Sequence, residues 1–221
     1  MFVQNGSKCP CMSCIVHVVS PIYYSVLFVL VFSEQVFPAL DIMRVALRNS
    51  KVNEYFCNIK EGPEFLQHLV KYLDTDQPVT NQMLALRCIA NLSCQKNGED
   101  LLLVNSESLV PLIVSKCKHD YKNVQIGAST VLMNIAVLLK RGDDVESKSQ
   151  LLSALNTAAQ DVVDTEAKFR LCVAIGTLIW KDDNSLAIAQ SLEVSKPINR
   201  WSLSKELPKL QACALCLLKL L

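Results

Sequence analysis

A chain of 221 residues that is 51% hydrophobic, holds only six glycines and carries a formal charge of +1 is long enough for one extended domain and too apolar to stay disordered. The near-neutral charge argues against a nucleic-acid binder, because neutralising a run of phosphates takes a clear basic excess. No run alternates with a period of two between turn dipeptides, so strands are not expected.

The first 35 residues stand apart from the rest. MFVQNGSKCPCMSC is followed by IVHVVSPIYYSVLFVLVF (15–32), which has no Lys, Arg, Asp or Glu. Its length borders on what crosses a bilayer, but Pro21 sits in its middle, His17 and two serines interrupt it, and only Lys8 precedes it. Three readings stay open for residues 1–35: a membrane or signal segment, a disordered leader, or a translated pyrimidine-rich intron end, whose codons yield Phe, Leu, Ser, Val, Ile and Tyr. Cys9, Cys11 and Cys14 lack a partner pair at finger spacing, so no metal is expected there. The folded domain is placed at 36–221.

From Val36 onward the pattern is helical. Apolar residues recur at three and four in ALDIMRVALRNS (39–50) and through 61–73, 80–94, 106–117, 123–140, 147–160, 165–180, 184–193 and 204–220. Thr80, Ser106 and Asp164 are candidate N-caps. Breaks are expected at Gly62-Pro63, Gln77-Pro78, Asn97-Gly98, Arg141 to Asp144, Lys181 to Asp183, and Lys196-Pro197.

Within this series one polar pair repeats. Arg87 and Asn91 lie four apart in LRCIANLSC, on one face of an otherwise apolar helix. Aligning Asn91 with Asn134 and with Gly176, and backward with Arg48, gives steps of 43, 43 and 42 residues. A constant period of this size with helical patterning marks HEAT or armadillo arrays, whose units bury their apolar faces against one another. The expected fold is therefore all-α, an armadillo-like helical repeat solenoid. The position four before each ladder residue reads Arg44, Arg87, Thr130 and Cys172, so Arg44, Arg48 and Arg87 should make one end of the concave face basic.

Nothing in the chain assembles into a catalytic constellation. His17, His68 and His119 have no marked nucleophile beside them, and there is neither a glycine-rich phosphate loop nor an HExxH motif. Cys57, Cys88, Cys94, Cys117 and Cys172 sit among apolar residues and are expected as reduced core residues. Cys213 and Cys216 form a CxxC outside any strand-to-helix turn, which is weak ground for redox chemistry. A non-enzymatic chain without cofactor or metal is the expectation.

VFPALDIMRVALRNSKVNEYFCN (36–58), TNQMLALRCIANL (80–92), the FR pair in TEAKFRLCVAIGTL (165–178) and KDDNSLAIAQSLEV (181–194) resemble the PUL domain of the phospholipase A2-activating protein family. The resemblance runs from Val36 to Leu221. It implies an armadillo-like array that binds the acidic C-terminal tail of the valosin-containing AAA segregase, an ATPase of ubiquitin-dependent turnover, in the cytoplasm and nucleus. The propeller and ubiquitin-binding PFU domains such proteins carry upstream have no counterpart in these residues, so ubiquitin-pathway components are expected as indirect partners, and a membrane is not expected as one.

In peptide-binding armadillo arrays the ladder asparagine holds the peptide main chain, since its amide both donates and accepts. Asn91 and Asn134 take that place, and Arg87 stands where an aromatic is common, suited to a carboxylate-bearing partner. Arg170 joins this set by resemblance alone, for periodicity places it roughly 240° around the helix from Gly176. Two rival readings are an importin- or catenin-like scaffold for another extended peptide, and the non-catalytic PUL portion of a PPPDE-type thiol peptidase.

Overall fold

The computed structural model describes residues 36–221, which form twelve helices and no strand. Helix α1 (Val36–Ala46) is followed by α2 (Ser50–Cys57), α3 (Gly62–Lys71) and α4 (Val79–Leu92), then by α5 (Lys96–Val104), α6 (Ser106–Lys116) and α7 (Lys122–Lys140). Next come the pair α8 (Val145–Asp161) and α9 (Thr165–Ile179), and finally α10 (Asp183–Ser191), α11 (Ser195–Ser202) and α12 (Pro208–Leu218). The all-α, armadillo-like expectation holds.

The helices stack in rows. α1, α4, α7, α9 and α12 pack each on the next and form the inner row, while α3, α6, α8 and α11 each back the following inner helix. Three units therefore have three helices and the α8–α9 unit has two. There the chain passes from α7 through a four-residue turn straight into α8, where Asp144 caps the new helix by accepting from the Ser147 N–H at 3.0 Å.

Burial corrects the repeat register. Ala85, Ala128, Leu171 and Ala214 are all fully buried and follow one another at intervals of 43 residues, as do Cys88, Val131, Ala174 and Leu217. The spacing is thus constant from α4 to α12, and the residue equivalent to Asn91 and Asn134 is Thr177 rather than Gly176. Sequence alignment chose the glycine because both residues lie near the apolar run, and a one-residue slip is invisible until the buried face is known.

Several expected boundaries also move. Gly98 lies inside the first turn of α5, because that turn presses against the end of α4 so closely that a Cβ at Gly98 would sit 2.1 Å from the Leu92 carbonyl oxygen. Lys196-Pro197 falls in the first turn of α11, where a proline lacks no needed donor. Pro78 and Asn105, not Thr80 and Ser106, precede α4 and α8's neighbour α6, whereas Asp164 caps α9 as expected, accepting from the Ala167 N–H at 2.9 Å. Residues 204–220 are a loop followed by α12, not one helix.

The α2–α5 seam is held by Asn53, which is fully buried. Its amide donates to the Leu47 and Leu92 carbonyls, both at 3.1 Å, and its Oδ1 accepts from the Gly98 N–H at 3.0 Å. One side chain thereby closes the end of α4 and opens α5. Around it the core is aliphatic, with the Phe56 and Phe65 rings tilted against each other at 4.9 Å between centroids.

Asp182 ties the α7–α8 side to α10. Its carboxylate accepts from the Ser185 N–H at 2.9 Å and from Lys148 Nζ at 2.9 Å, with Lys140 Nζ at 3.8 Å. The Ser185 backbone N–H first, and Lys148 next, hold its pKa down at about 2. A carboxyl depressed in the folded state contributes stability that is complete above the unfolded pKa and is lost as pH falls through about 4 towards 2. We expect Asp182→Asn to cost about 2 kcal/mol at neutral pH and progressively less below pH 4, as read from melting curves. An equal difference at neutral and strongly acidic pH would rule out the carboxylate as its source.

Candidate peptide-binding face

Corrected by burial, the inner row presents two residues per helix, four apart and never buried: Arg87 and Asn91 on α4, Thr130 and Asn134 on α7, Val173 and Thr177 on α9, Cys216 on α12 with Leu220 just beyond its end. Each step adds 43 residues. The face is polar at α4 and α7 and turns apolar at α9 and α12.

The asparagines do more than face outward. Asn91 Nδ2 donates to the Arg44 carbonyl on α1 at 2.5 Å, and Asn134 Nδ2 donates to the Ala90 carbonyl and to Ser93 Oγ, each at 2.9 Å. Each amide thus clasps the preceding inner helix, where carbonyls near a helix end lack intrahelical donors. Placing these residues wholly on an open face, with no part in packing, needs that correction. Asn91→Ala is accordingly expected to lower stability by about 1 kcal/mol as well as weakening peptide binding, measured by denaturant titration beside calorimetry.

The arginines divide. Arg87 is exposed and has no ion-pair partner among the described residues. Arg44 is held by Asp41, Nε to Oδ1 at 2.6 Å, so its charge is compensated. Arg48 is exposed in the turn just past the end of α1, four residues beyond Arg44.

Arg170 reaches across the row. It donates to Thr130 Oγ1 and, at 3.4 Å, to the Ile126 carbonyl, both on α7, while its Nε meets Glu166 at 3.2 Å. Its guanidinium therefore lies beside the second rung: with Thr177 as the ladder residue, Arg170 stands seven positions earlier, about two full turns, and so on the ladder face. Lys209 also reaches Glu166 at 2.6 Å and stands over the Phe169 ring at 4.4 Å. These hydrogen bonds, that from Lys209 foremost, hold Glu166 below the ordinary carboxylate range. One carboxylate serves two cations, so the cluster keeps a net positive charge beside the second rung.

Beyond it, an open hollow of about 510 Å³ lies between α9 and α12, walled by Val173, Thr177, Trp180, Cys216, Leu217 and Leu220. Lys140 borders the hollow, but its ammonium donates to the Trp180 carbonyl and, at 3.3 Å, to that of Leu178, capping the end of α9.

Of the cysteines expected in the core, Cys57, Cys88, Cys117 and Cys172 are buried, whereas Cys94 is exposed. Burial pushes the Cys57 and Cys117 thiols up to about 12 and Cys88 higher still. Cys213 hydrogen-bonds with Cys172 on α9 rather than pairing with Cys216, and that bond brings its thiol down to about 7. Among the described residues no group of His, Cys, Asp or Glu is placed to hold a metal ion. α7 is long and apolar enough to span a membrane by composition, yet it is the mostly buried middle helix of the row. Cys9, Cys11, Cys14 and the apolar stretch 15–32 lie outside the described residues.

The geometry matches that of known arrays. A designed armadillo repeat protein in complex with the peptide (KR)4 superposes with a TM-score of 0.70 at 21% identity, covering 89% of this chain and 81% of its own. Computationally designed armadillo repeat proteins for modular peptide recognition superpose at 0.65 with 19% identity over 90% and 81%. In sequence, the chain is 37% identical over 186 residues to the phospholipase A-2-activating protein of Xenopus laevis, covering 84% of this chain and 23% of that protein. It is 29% identical over 174 residues to the ubiquitin fusion degradation protein 3 homolog of Caenorhabditis elegans, covering 74% and 20%. The chain thus spans under a quarter of the length of these relatives. The PUL domain model matches residues 27–214. With an armadillo-like row of inner helices and that match over most of its length, the chain belongs to the PUL domain family.

Proposed function

We propose that this chain is a binding module, not an enzyme, whose inner face captures an extended acidic peptide. The occupant we assign is the C-terminal tail of the valosin-containing AAA segregase, so that the chain works as an adaptor in ubiquitin-dependent turnover in the cytoplasm and nucleus. The observation that carries this reading is the exposed Arg87, unpaired among the described residues, on the same inner row as the net positive Arg170–Glu166–Lys209 cluster, together with asparagines whose Nδ2 groups are spent on packing while no described residue donates to their Oδ1. A guanidinium with open donors grips a carboxylate through two parallel hydrogen bonds, and the Asn91 and Asn134 oxygens accept from peptide N–H groups. The membership of the family and the ubiquitin-related name of one relative support the same reading.

Calorimetric titration with a synthetic tail peptide, against the same peptide with its acidic residues exchanged for lysine, tests the assignment. The acidic peptide should bind and weaken as salt rises, and the lysine peptide should not bind. Equal binding of both would overturn it.

A further inference from the structure

Three cysteines at the end of the row take no part in the reading above. Cys172 on α9 and Cys213 and Cys216 on α12 all border the open hollow of about 510 Å³ between those helices. Their exposure is graded: Cys172 is buried, Cys213 is half-buried and Cys216 is exposed.

The helix register decides which of them meet. Arg170 reaches back from α9 to Ile126 and Thr130 of α7, and Cys213 occupies the same place on α12, 43 residues later. It reaches back in the same way and hydrogen-bonds with Cys172, 41 residues earlier. One turn further along both helices, a Cβ at Gly176 would meet Leu217 Cδ1 at 3.9 Å, again across 41 residues. Cys172 and Cys213 therefore face each other across the seam. Cys216 is a poorer mate for Cys213, since side chains three apart on a helix keep their Cβ atoms about 5–6 Å apart and a disulfide needs about 3.5–4.5 Å.

The two sulfurs differ in chemistry as well as in access. The hydrogen bond that Cys172 donates favours the Cys213 thiolate and brings that thiol down to about 7, whereas the same bond, joined by burial, pushes Cys172 up. At neutral pH roughly half of Cys213 is thus the nucleophilic thiolate. Lys140, the cation at the rim, is spent on the Trp180 and Leu178 carbonyls, which leaves the hollow better suited to a neutral reagent than to an anionic one.

We propose that Cys213 is a peroxide-reactive thiol and Cys172 its resolving partner, so that a small uncharged hydroperoxide entering the hollow converts the pair into a disulfide joining α9 to α12. The proposal does not depend on the peptide assignment. The Cys213 thiolate attacks one peroxide oxygen; the S–O bond forms, the O–O bond breaks, and the leaving oxygen takes a proton, which leaves a sulfenic acid. The Cys172 sulfur then attacks the Cys213 sulfur; the S–S bond forms, the S–O bond breaks, and the Cys172 proton departs with the hydroxide as water. Two thiols supply two electrons, and hydrogen peroxide ends as two waters. The bond closes a loop from residue 172 to 213 and ties down α12, the last helix of the row.

Hydrogen peroxide added to the reduced full chain at neutral pH, followed by alkylation and tryptic mapping, tests this. LCVAIGTLIWK (171–181) should appear joined to LQACALCLLK (210–219) with two hydrogens lost. The link should persist in Cys216→Ser and vanish in Cys213→Ser. In Cys172→Ser the reaction should stop at a Cys213 sulfenic acid that dimedone captures. Cys213 should be consumed several-fold faster than N-acetylcysteine in the same solution, because its larger thiolate fraction outweighs its lower intrinsic nucleophilicity. The cross-linked chain should melt roughly 5–10 °C higher, and dithiothreitol should reverse the rise. A disulfide between Cys213 and Cys216, a disulfide between two chains, or a Cys213 no faster than the free thiol would overturn the proposal. So would a glutathione adduct that replaces the internal bond when glutathione is added with the peroxide. The parent chain and Cys216→Ser carry these readings even if Cys172→Ser fails to fold.

Discussion

Arg87→Glu is expected to weaken binding of the acidic tail by about 3 kcal/mol, more than a hundredfold in affinity, without changing the fold. The substitution removes a bidentate donor and sets a like charge against the incoming carboxylates. Its cost to the free protein should be small, because among the described residues Arg87 is exposed, makes no ion pair and projects from a face that no helix covers. Arg44→Glu should matter less, since Asp41 already compensates that charge at 2.6 Å. The ordering of the two variants therefore separates a specific contact from a general loss of positive charge. Titration at low and high ionic strength, with circular dichroism as a check on folding, measures it. Parental affinity in a folded Arg87→Glu protein would leave the arginine as a solvated side chain and remove the basis of the peptide assignment.

The largest loss of stability is expected from Asn53→Leu, roughly 3–5 kcal/mol, despite a near match in size. Leucine supplies apolar volume, but it leaves the Gly98 N–H and the Leu47 and Leu92 carbonyls without the partner that now reaches all of them. These groups cannot turn to water, because Asn53 is fully buried and Gly98 is wedged against the end of α4. A fall of roughly 10 °C or more in melting temperature should follow. Gly98→Ala should fail in the same place for a different reason, a Cβ driven into the Leu92 carbonyl at 2.1 Å. Backbone amides at the start of α5 should lose protection from hydrogen exchange before those of α7. A shift in unfolding free energy below about 1 kcal/mol for Asn53→Leu would show that the seam does not depend on this clasp.

Periodicity is a local property, and what depends on it was legible in the residues alone. The long helices α4, α7, α8 and α9, the absence of strands among the described residues, the repeat near 43 and the exposure of Arg87 all follow from where apolar residues fall along a 3.6-residue turn. The short helices α2 and α5 were not, since their eight and nine residues span little more than two turns, and what holds them in place is Asn53 and the close approach at Gly98.

Other features belong to pairs of helices and exist only once those helices are stacked. Whether Gly176 or Thr177 continues the ladder depends on which face of α9 is buried against α7. Arg170 reaches the second rung because α7 presents Thr130 and the Ile126 carbonyl to it, and no spacing within α9 encodes that neighbour. The asparagine amides are turned into clasps by carbonyls that lie more than forty residues earlier in the chain. The hollow beside Gly176 is the space that α9 and α12 leave between them, and its apolar character comes from residues of these two helices and of the turns that follow them. Sequence thus determined which side chains are helical and which repeat, through turn geometry and the burial of apolar surface. Tertiary packing decided which of those side chains are spent on holding neighbours together and which remain open to a partner, because a hydrogen bond or a cavity between two helices is a property of neither one alone.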